Sequence, residues 1–410
     1  MHIDFDPANI NWSTLTENPT QWGGYNVFRG VPYQRGNGLG SVFRSFLRYL
    51  IPMRNSPLST ITQDSPYLFR LFSDNLWTDL SRTYLYLELS IEKLGNNGKW
   101  VDIEATDNSI GSIQGIGQTF VQQLKVTLCN TEVYDSGTLY PYKAYITNEL
   151  SFPDNVNRIF LHPLVIIKAK SMMILQMIFA NDIHFSIYKN KDAFILQNIK
   201  EGDTNQYRLY VHDVKLFSKM VEVQPSLNMN IYKTLESKPA TYAVRRTEMK
   251  STYLTSGRTE IEYNAFSSAI PRRITVALVS NKAFNGDITL SPFNFKPFDI
   301  RDISLKFAQD LFVRAFVDMY EALGMANSDR SIDISMSRFK DGWTFFVIPL
   351  TSTLDDSCGF ELLKSGTTSV RLEFNTPIPA GGVEMIILGE FDQMIMIDYN
   401  RHIVTDSNLG

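Results

Sequence analysis

Residues 268–301 read SAIPRRITVALVSNKAFNGDITLSPFNFKPFDIR. The run Ile274–Val279 is short, apolar and rich in β-branched residues, which is the pattern of a buried strand. Asn285-Gly286 follows, a pair that accepts the positive φ angles of a tight turn. Beyond it stands Ser291-Pro292-Phe293-Asn294-Phe295-Lys296-Pro297-Phe298. The two prolines exclude a central strand or a helix interior there. The segment is therefore a rigid loop, and Phe293, Phe295 and Phe298, at near-alternate positions, would anchor it on a hydrophobic surface. A buried strand, a tight turn and an aromatic loop in sequence predict an all-β protein with long, structured loops. None of these residues brings catalytic chemistry.

Regular alternation continues on either side. In Thr83–Ile91, Leu85, Leu87, Leu89 and Ile91 face one way and Tyr84, Tyr86, Glu88 and Ser90 the other, as in an antiparallel sheet with one buried face. Asn96-Asn97-Gly98 is a hairpin signal. Tyr67–Phe72 and Val121–Leu128 read as strands, and Tyr140–Leu150 as a short helix or turn. In Tyr207–Phe217, Leu209 and Val211 alternate with Arg208, Tyr210 and His212, and the phase then shifts so that Val214 and Leu216 continue the apolar face. Residues 225–242 read as a connection between domains, with a helical turn ending before Pro239. Past it, Tyr242–Thr252, Thr259–Tyr263, Trp343–Leu350, Ser369–Phe374, Val383–Phe391 and Met394–Ile397 read as strands. Gln309–Leu323 reads as a helix, with Leu311, Phe312, Ala315, Phe316, Met319, Tyr320 and Leu323 on one face and Gly324 as its stop. Some fourteen to eighteen strands in two stretches of similar length match what two eight-stranded jelly rolls need. No sequence repeat accompanies them. The division expected is an arm over 1–56, a first jelly roll over 57–235 and a second over 236–410.

The arm differs from the rest. No acidic residue occurs between Glu17 and Asp64, while Arg29, Arg35, Arg44, Arg48 and Arg54 do. Ser41 can cap a helix that Pro52 ends, with Val42, Phe43, Phe46, Leu47, Leu50 and Ile51 on one face. Three readings of this basic amphipathic segment stand open. It packs on its own domain or a neighbouring subunit, it is an arm that meets DNA through its arginines or a second protein, or it is a membrane-active helix. Its glycines make no phosphate loop, because the Gly-Lys-Ser/Thr ending is missing.

Composition narrows the function. The 410 residues are 44% hydrophobic and 12% aromatic, enough for a sizeable core, and a net charge of −4 argues against a surface devoted to nucleic acid. Cys129 and Cys358 lie too far apart to suggest a disulfide framework or zinc site, and fit a reducing compartment. The first twenty residues show no signal peptide, and the best apolar run, Met172–Ala180, is too short to span a bilayer. His2, His162, His184, His212 and His402 show no metal-ligand spacing. Neither a G-x-S-x-G nor an H-E-x-x-H motif occurs. The glycines of 111–117 lack the third member of a dinucleotide fingerprint, and Asp355-Asp356 reads as a solvated turn rather than half a carboxylate site. No catalytic residue, cofactor or metal is expected. Arg272-Arg273 reads either as a subunit contact or as the solvated start of a strand.

Several of these segments also resemble a known family. The stretch from Arg272 to Asp299, with Ser291 before Pro292, resembles the second half of major capsid proteins from Polinton (Maverick) elements and adintoviruses, double jelly-roll relatives of the adenovirus hexon. DLSRTYLYLEL (79–89), FVQQLKVTLCNTEV (120–133) and YPYKAYI (140–146) follow the order of that family's first jelly roll. YQRGNGLG (33–40) and GEFDQMIMIDYNRHIVTD (389–406) resemble its arm and its C-terminus. The resemblance covers most of 57–406, but residues 151–200 depart from it and look compressed. It implies a non-enzymatic structural capsid protein of a dsDNA virus or virus-like transposon. Three chains give six sandwiches, so a homotrimer fills a hexagonal position of an icosahedral shell and meets other trimers, penton and minor capsid proteins. It implies assembly in the host nucleus or cytoplasm and residence in the virion. Arg29, Arg35, Phe43, Arg44, Phe46 and Arg48 would serve the assembly arm, and Arg272, Arg273, Phe293, Phe295 and Phe298 an interface loop. Two alternatives stand beside it: a vertex or minor capsid protein, and a non-viral or domesticated β-sandwich binding module.

Overall fold

The phase shift at His212 is a β-bulge. Strand β10 (Tyr207–Val223) pairs antiparallel with β3 (Leu76–Leu94), Leu209 opposite Ile91 and Leu216 opposite Leu85. The register slips between Val211 and Asp213. The extra residue, His212, returns Val214 and Leu216 to the buried face, where simple alternation would have turned them outward. The computed structural model that shows this describes residues 47–63, 66–72, 76–104, 106–113, 115–152, 182–303, 311–325, 331–351, 365–400 and 402–405. They belong to one compact unit, formed by Leu39–Leu354 with Phe360–Gly410.

Eighteen strands occur among the described residues. One four-stranded sheet of the first half has the order β1-β10-β3-β4, where β1 is Leu47–Asn55 and β4 is Trp100–Asp102. The other has the order β2-β8-β6-β7, formed by Tyr67–Phe72, Asp182–Lys189, Val121–Leu128 and Thr131–Asp135. A small pair, β5 (Ile110–Ser112) and β9 (Leu196–Asn198), accompanies them. In the second half, β11 (Ala240–Leu254), β17 (Val383–Ile397), β13 (Arg273–Ser280) and β15 (Phe346–Pro349) form one sheet in that order, with β18 (Ile403–Thr405) also on β17. Its companion is β12-β16-β14, made of Glu260–Phe266, Thr368–Phe374 and Ile300–Ile303. The wiring is the same twice. In each half the last long strand lies between the first and the third, as in β1-β10-β3 and β11-β17-β13. The second strand pairs with the strand just before the last long one in the facing sheet of the second half (β12 with β16), and β2 pairs with β8 in the first half. The chain thus crosses repeatedly between two sheets in each half, as a jelly roll is wound.

The sequence reading of a helix from Ser41 to Pro52 is corrected over its described part. Leu47–Asn55 is the edge strand β1, paired along its length with β10 from Leu47–Val223 to Asn55–Leu216. A short apolar run fits both periods, and pairing with the long β10 decides in favour of the strand. Pro52 is tolerated because β1 lies at the sheet edge. Residues 225–235, expected to hold a helical turn, form a full helix, and Trp343–Leu350 keeps strand geometry only at Phe346–Pro349. Met172–Ala180, Asp355-Asp356, Cys358, His2 and His162 lie outside the described residues.

Each sandwich has its own core, and a helix joins them. Phe69, Leu85, Leu124, Val126, Ile187 and Val214 centre the first core, and Val276, Leu278, Phe345, Leu372 and Ile386 the second. Helix α1 (Tyr140–Glu149) belongs by sequence to the first half, yet Tyr142, Tyr145, Ile146 and Leu150 at its end are buried in the second core, while Tyr140 is buried in the first. In return, Val244, Ile395 and Ile397 reach the first core. Helix α2 (Pro225–Leu235) spans the connection, and α3 (Leu311–Ala322) lies against β15. Ala315 and Met319 of α3 are buried, as the sequence spacing predicts. At its end Gly324 takes φ +68°, with Gly324 N–H donating to Glu321 C=O and Met325 N–H to Tyr320 C=O, the two bonds of a Schellman stop.

Candidate assembly interface

The aromatic loop is anchored as its spacing predicts, and the anchoring surface is the chain's own. After β13, Ser280 caps a single helical turn by accepting from Ala283 N–H at 3.3 Å, and Gly286 turns the chain at φ +88°. Phe293 stacks face to face on Tyr145 of α1, centroids 4.1 Å apart and planes 4° from parallel. Tyr142 meets Phe293 edge-on at 5.7 Å, and Phe194 meets it at 6.0 Å. Phe295, with no exposed surface, lies 5.2 Å from Phe345 and 6.2 Å from Tyr142. Its backbone N–H donates to Gly342 C=O at 3.1 Å. Phe298 is half-buried at φ +47°. The side chains of Phe293 and Phe295, expected in an interface loop, are both buried within their own chain. They join the two sandwiches of one chain, because the partner rings on α1 occupy the apolar surface they offer.

The arginine pair is likewise held inside the chain. Arg273 grips Glu390 with two bonds of 2.7 and 2.8 Å and donates to the Ala322 carbonyl at 3.0 Å, where a cation meets the negative end of α3. Arg272 is 7% exposed, and Asp392 lies 3.9 Å from its guanidinium and 3.6 Å from that of Arg245. Arg272 is buried and not a solvated strand start, and within the chain the two residues tie β13, β17 and α3 together. Of the arm residues, Arg29, Arg35, Phe43, Arg44 and Phe46 lie outside the described residues, and Arg48 sits at the register irregularity of β1.

No protein-family model matches the chain. An uncharacterized Caenorhabditis elegans protein is 27% identical over 397 residues, covering 84% of this chain and 94% of its own. Among solved structures, the mavirus major capsid protein superposes over 99% of this chain and 95% of its own, with a TM-score of 0.55 at 10% identity. A chain of the Sputnik virophage structure superposes over 88% of this chain and 89% of its own, with a TM-score of 0.57 at 10% identity. The fold is a double jelly roll.

The joint of the double jelly roll has polar groups among its rings. Trp343 Nε1 donates to the Glu149 carboxylate at 3.1 Å, linking the second roll to α1. The Tyr142 hydroxyl is buried with no hydrogen-bond partner among the described residues. Burial, with the Glu384 carboxyl adding to it, holds that phenol well above its ordinary pKa. An unsatisfied buried hydroxyl costs on the order of 1–3 kcal/mol. Tyr142→Phe is therefore expected to raise the stability of the double jelly roll by about 1 kcal/mol, read as a higher denaturant midpoint at unchanged m-value. Elsewhere, Cys129 is half-buried at φ +45° in the β6–β7 hairpin, a structural position for a thiol. His212 bonds Ser90, and His184 and His402 sit beside Asp182 and Asp398. Among the described residues no three His, Cys, Asp or Glu side chains gather as metal ligands, and no helix is long and apolar enough to cross a membrane.

Proposed function

We propose that this chain is a structural major capsid protein of the Polinton (Maverick) and adintovirus type, in the hexon-like lineage, acting by assembly and not by catalysis. The observation that carries this reading is the same strand wiring in both halves, together with the superposition of the mavirus major capsid protein over nearly the whole chain. Two rolls fixed side by side form a unit that three copies turn into a pseudo-hexagon, so a homotrimer tiles an icosahedral shell of a dsDNA virus or virus-like transposon. The rolls divide near residues 57–235 and 236–410, with β1 drawn back into the first. The arm bearing Arg29, Arg35, Phe43, Arg44, Phe46 and Arg48 then meets a neighbouring subunit, a minor capsid protein, packaged DNA or an inner membrane. Penton and minor capsid proteins complete the shell, the virion is the site of residence, and the host nucleus or cytoplasm the site of assembly.

A relative of nearly full length in an animal favours a second reading beside the first, a copy domesticated by a host genome. Light scattering after size exclusion separates the readings. The expected species has three times the 46.9 kDa chain mass and proceeds to particles visible by electron microscopy. Trimers that never form particles support domestication. A monomer over a wide concentration range overturns the capsid reading and leaves a binding module.

A further inference from the structure

Helix α1 is buried on the sides that face both cores, and one of its residues is a lysine. Lys143 is 8% exposed, and its amine meets the hydroxyl of Tyr134 on β7 and lies 4.4 Å from the centre of that ring. The carboxylate of Asp135, the residue after Tyr134, is held by Lys125 at 2.8 Å and by Gln123 at 2.8 Å. Tyr140, one turn back on α1, adds a second buried phenol. Beyond the helix, Glu149 is bonded to Trp343, and Glu384 on β17 is buried near Tyr142 with its carboxyl pushed above its ordinary pKa by burial. Among the described residues Lys143 therefore sits with phenols and apolar groups, and no carboxylate there is hydrogen-bonded to it. On either side of it along the helix, Tyr142 and Tyr145 are buried in the core of the second roll.

We propose that α1 is an acid-responsive wedge, in which adding a proton to the Lys143 amine unseats the helix and loosens the joint between the two jelly rolls. The physical basis is the asymmetry of the two states. Seated, the amine is taken from water and given one neutral partner, so burial brings its pKa down to about 7. Released, it regains the ordinary lysine value of 10.5. Protons therefore bind the open state more tightly, and acid favours opening. The inference is independent of the capsid reading, since it concerns the joint within one chain.

Hydrogen exchange by mass spectrometry on the full chain tests it, with rates corrected for their intrinsic pH dependence. Between about pH 8.5 and pH 6, the opening constant of the Tyr140–Leu150 and Ser291–Phe298 amides is expected to rise on the order of 30-fold in the native chain. Lys143→Met should stay slow and flat over this range, and Lys143→Arg, charged at every pH, should be open throughout. Parallel pH profiles for the native chain and Lys143→Met overturn the proposal. So does a rise spread evenly over β6, β10 and β16, which would mark global loosening instead of a joint. If Lys143→Arg does not fold, the comparison of the native chain with Lys143→Met still decides.

Discussion

Phe295→Ala is expected to lower the stability of the chain by about 4 kcal/mol, in the range for removing a fully buried ring. The side chain has no exposed surface and lies among Phe345, Tyr142, Tyr145 and Phe293, at centroid distances of 5.2 to 6.5 Å. The backbone on both sides is fixed independently of the ring: Phe295 N–H donates to Gly342 C=O, and its carbonyl accepts from Thr344 N–H at 3.3 Å. The loop cannot collapse into the space left behind, so the cavity persists and adds its own cost to the lost burial. Two of the four neighbouring rings belong to α1, so the variant also weakens the seat of the first roll on the second. Urea unfolding followed by far-ultraviolet circular dichroism should show a lower midpoint, and probes in the two rolls should cease to coincide. Phe298→Ala, from a half-buried position in the same loop, is expected to cost about 1 kcal/mol or less. Equal losses for the two variants would mean that the loop is not anchored through Phe295.

How far this arrangement could be read from the sequence depended on the separation of the partners. Period-two alternation marked β3, and the slip at His212 marked the bulge of β10, because both signals are local. The Phe-Asn-Phe spacing marked a loop that needs an apolar seat. It could not say which seat, because Tyr142 and Tyr145 are about 150 residues away in a segment whose local pattern says only short helix. The same limit governed Arg272 and Arg273. An arginine pair after a proline looks available for a partner, and only the fold brings Glu390 and the end of α3 to it. At Leu47–Asn55 the failure was of another kind. The apolar residues suit either period, and the pairing with β10 is a tertiary fact that outweighs local preference. Lys143 gave no signal, because a single lysine in a short helix ordinarily reaches water. Its burial follows from both faces of α1 being covered, which requires two rolls.

That burial gives the second large effect: Lys143→Met is expected to stabilise the chain at neutral pH. A lysine whose pKa falls from 10.5 to about 7 on folding opposes folding wherever the unfolded chain is protonated and the folded chain is not. The sign follows from proton counting. Above the unfolded value both states are neutral and the penalty vanishes. As pH falls from 10.5 towards 7, the unfolded state alone takes up the proton and the penalty grows. Below the folded value both states are charged and the penalty stays constant. A drop of this size corresponds to about 3–5 kcal/mol at its full extent. Methionine keeps the unbranched stem and fills the space without a charge, while the Tyr134 hydroxyl loses a partner at a cost of about 1 kcal/mol. The net gain expected is about 2–4 kcal/mol at neutral and mildly acidic pH, shrinking steadily as the solution is made alkaline. Urea midpoints for both proteins across this range measure it directly. Curves that run parallel would mean that the amine stays charged or solvated in the folded chain, and curves that converge towards alkaline pH locate the proton on Lys143.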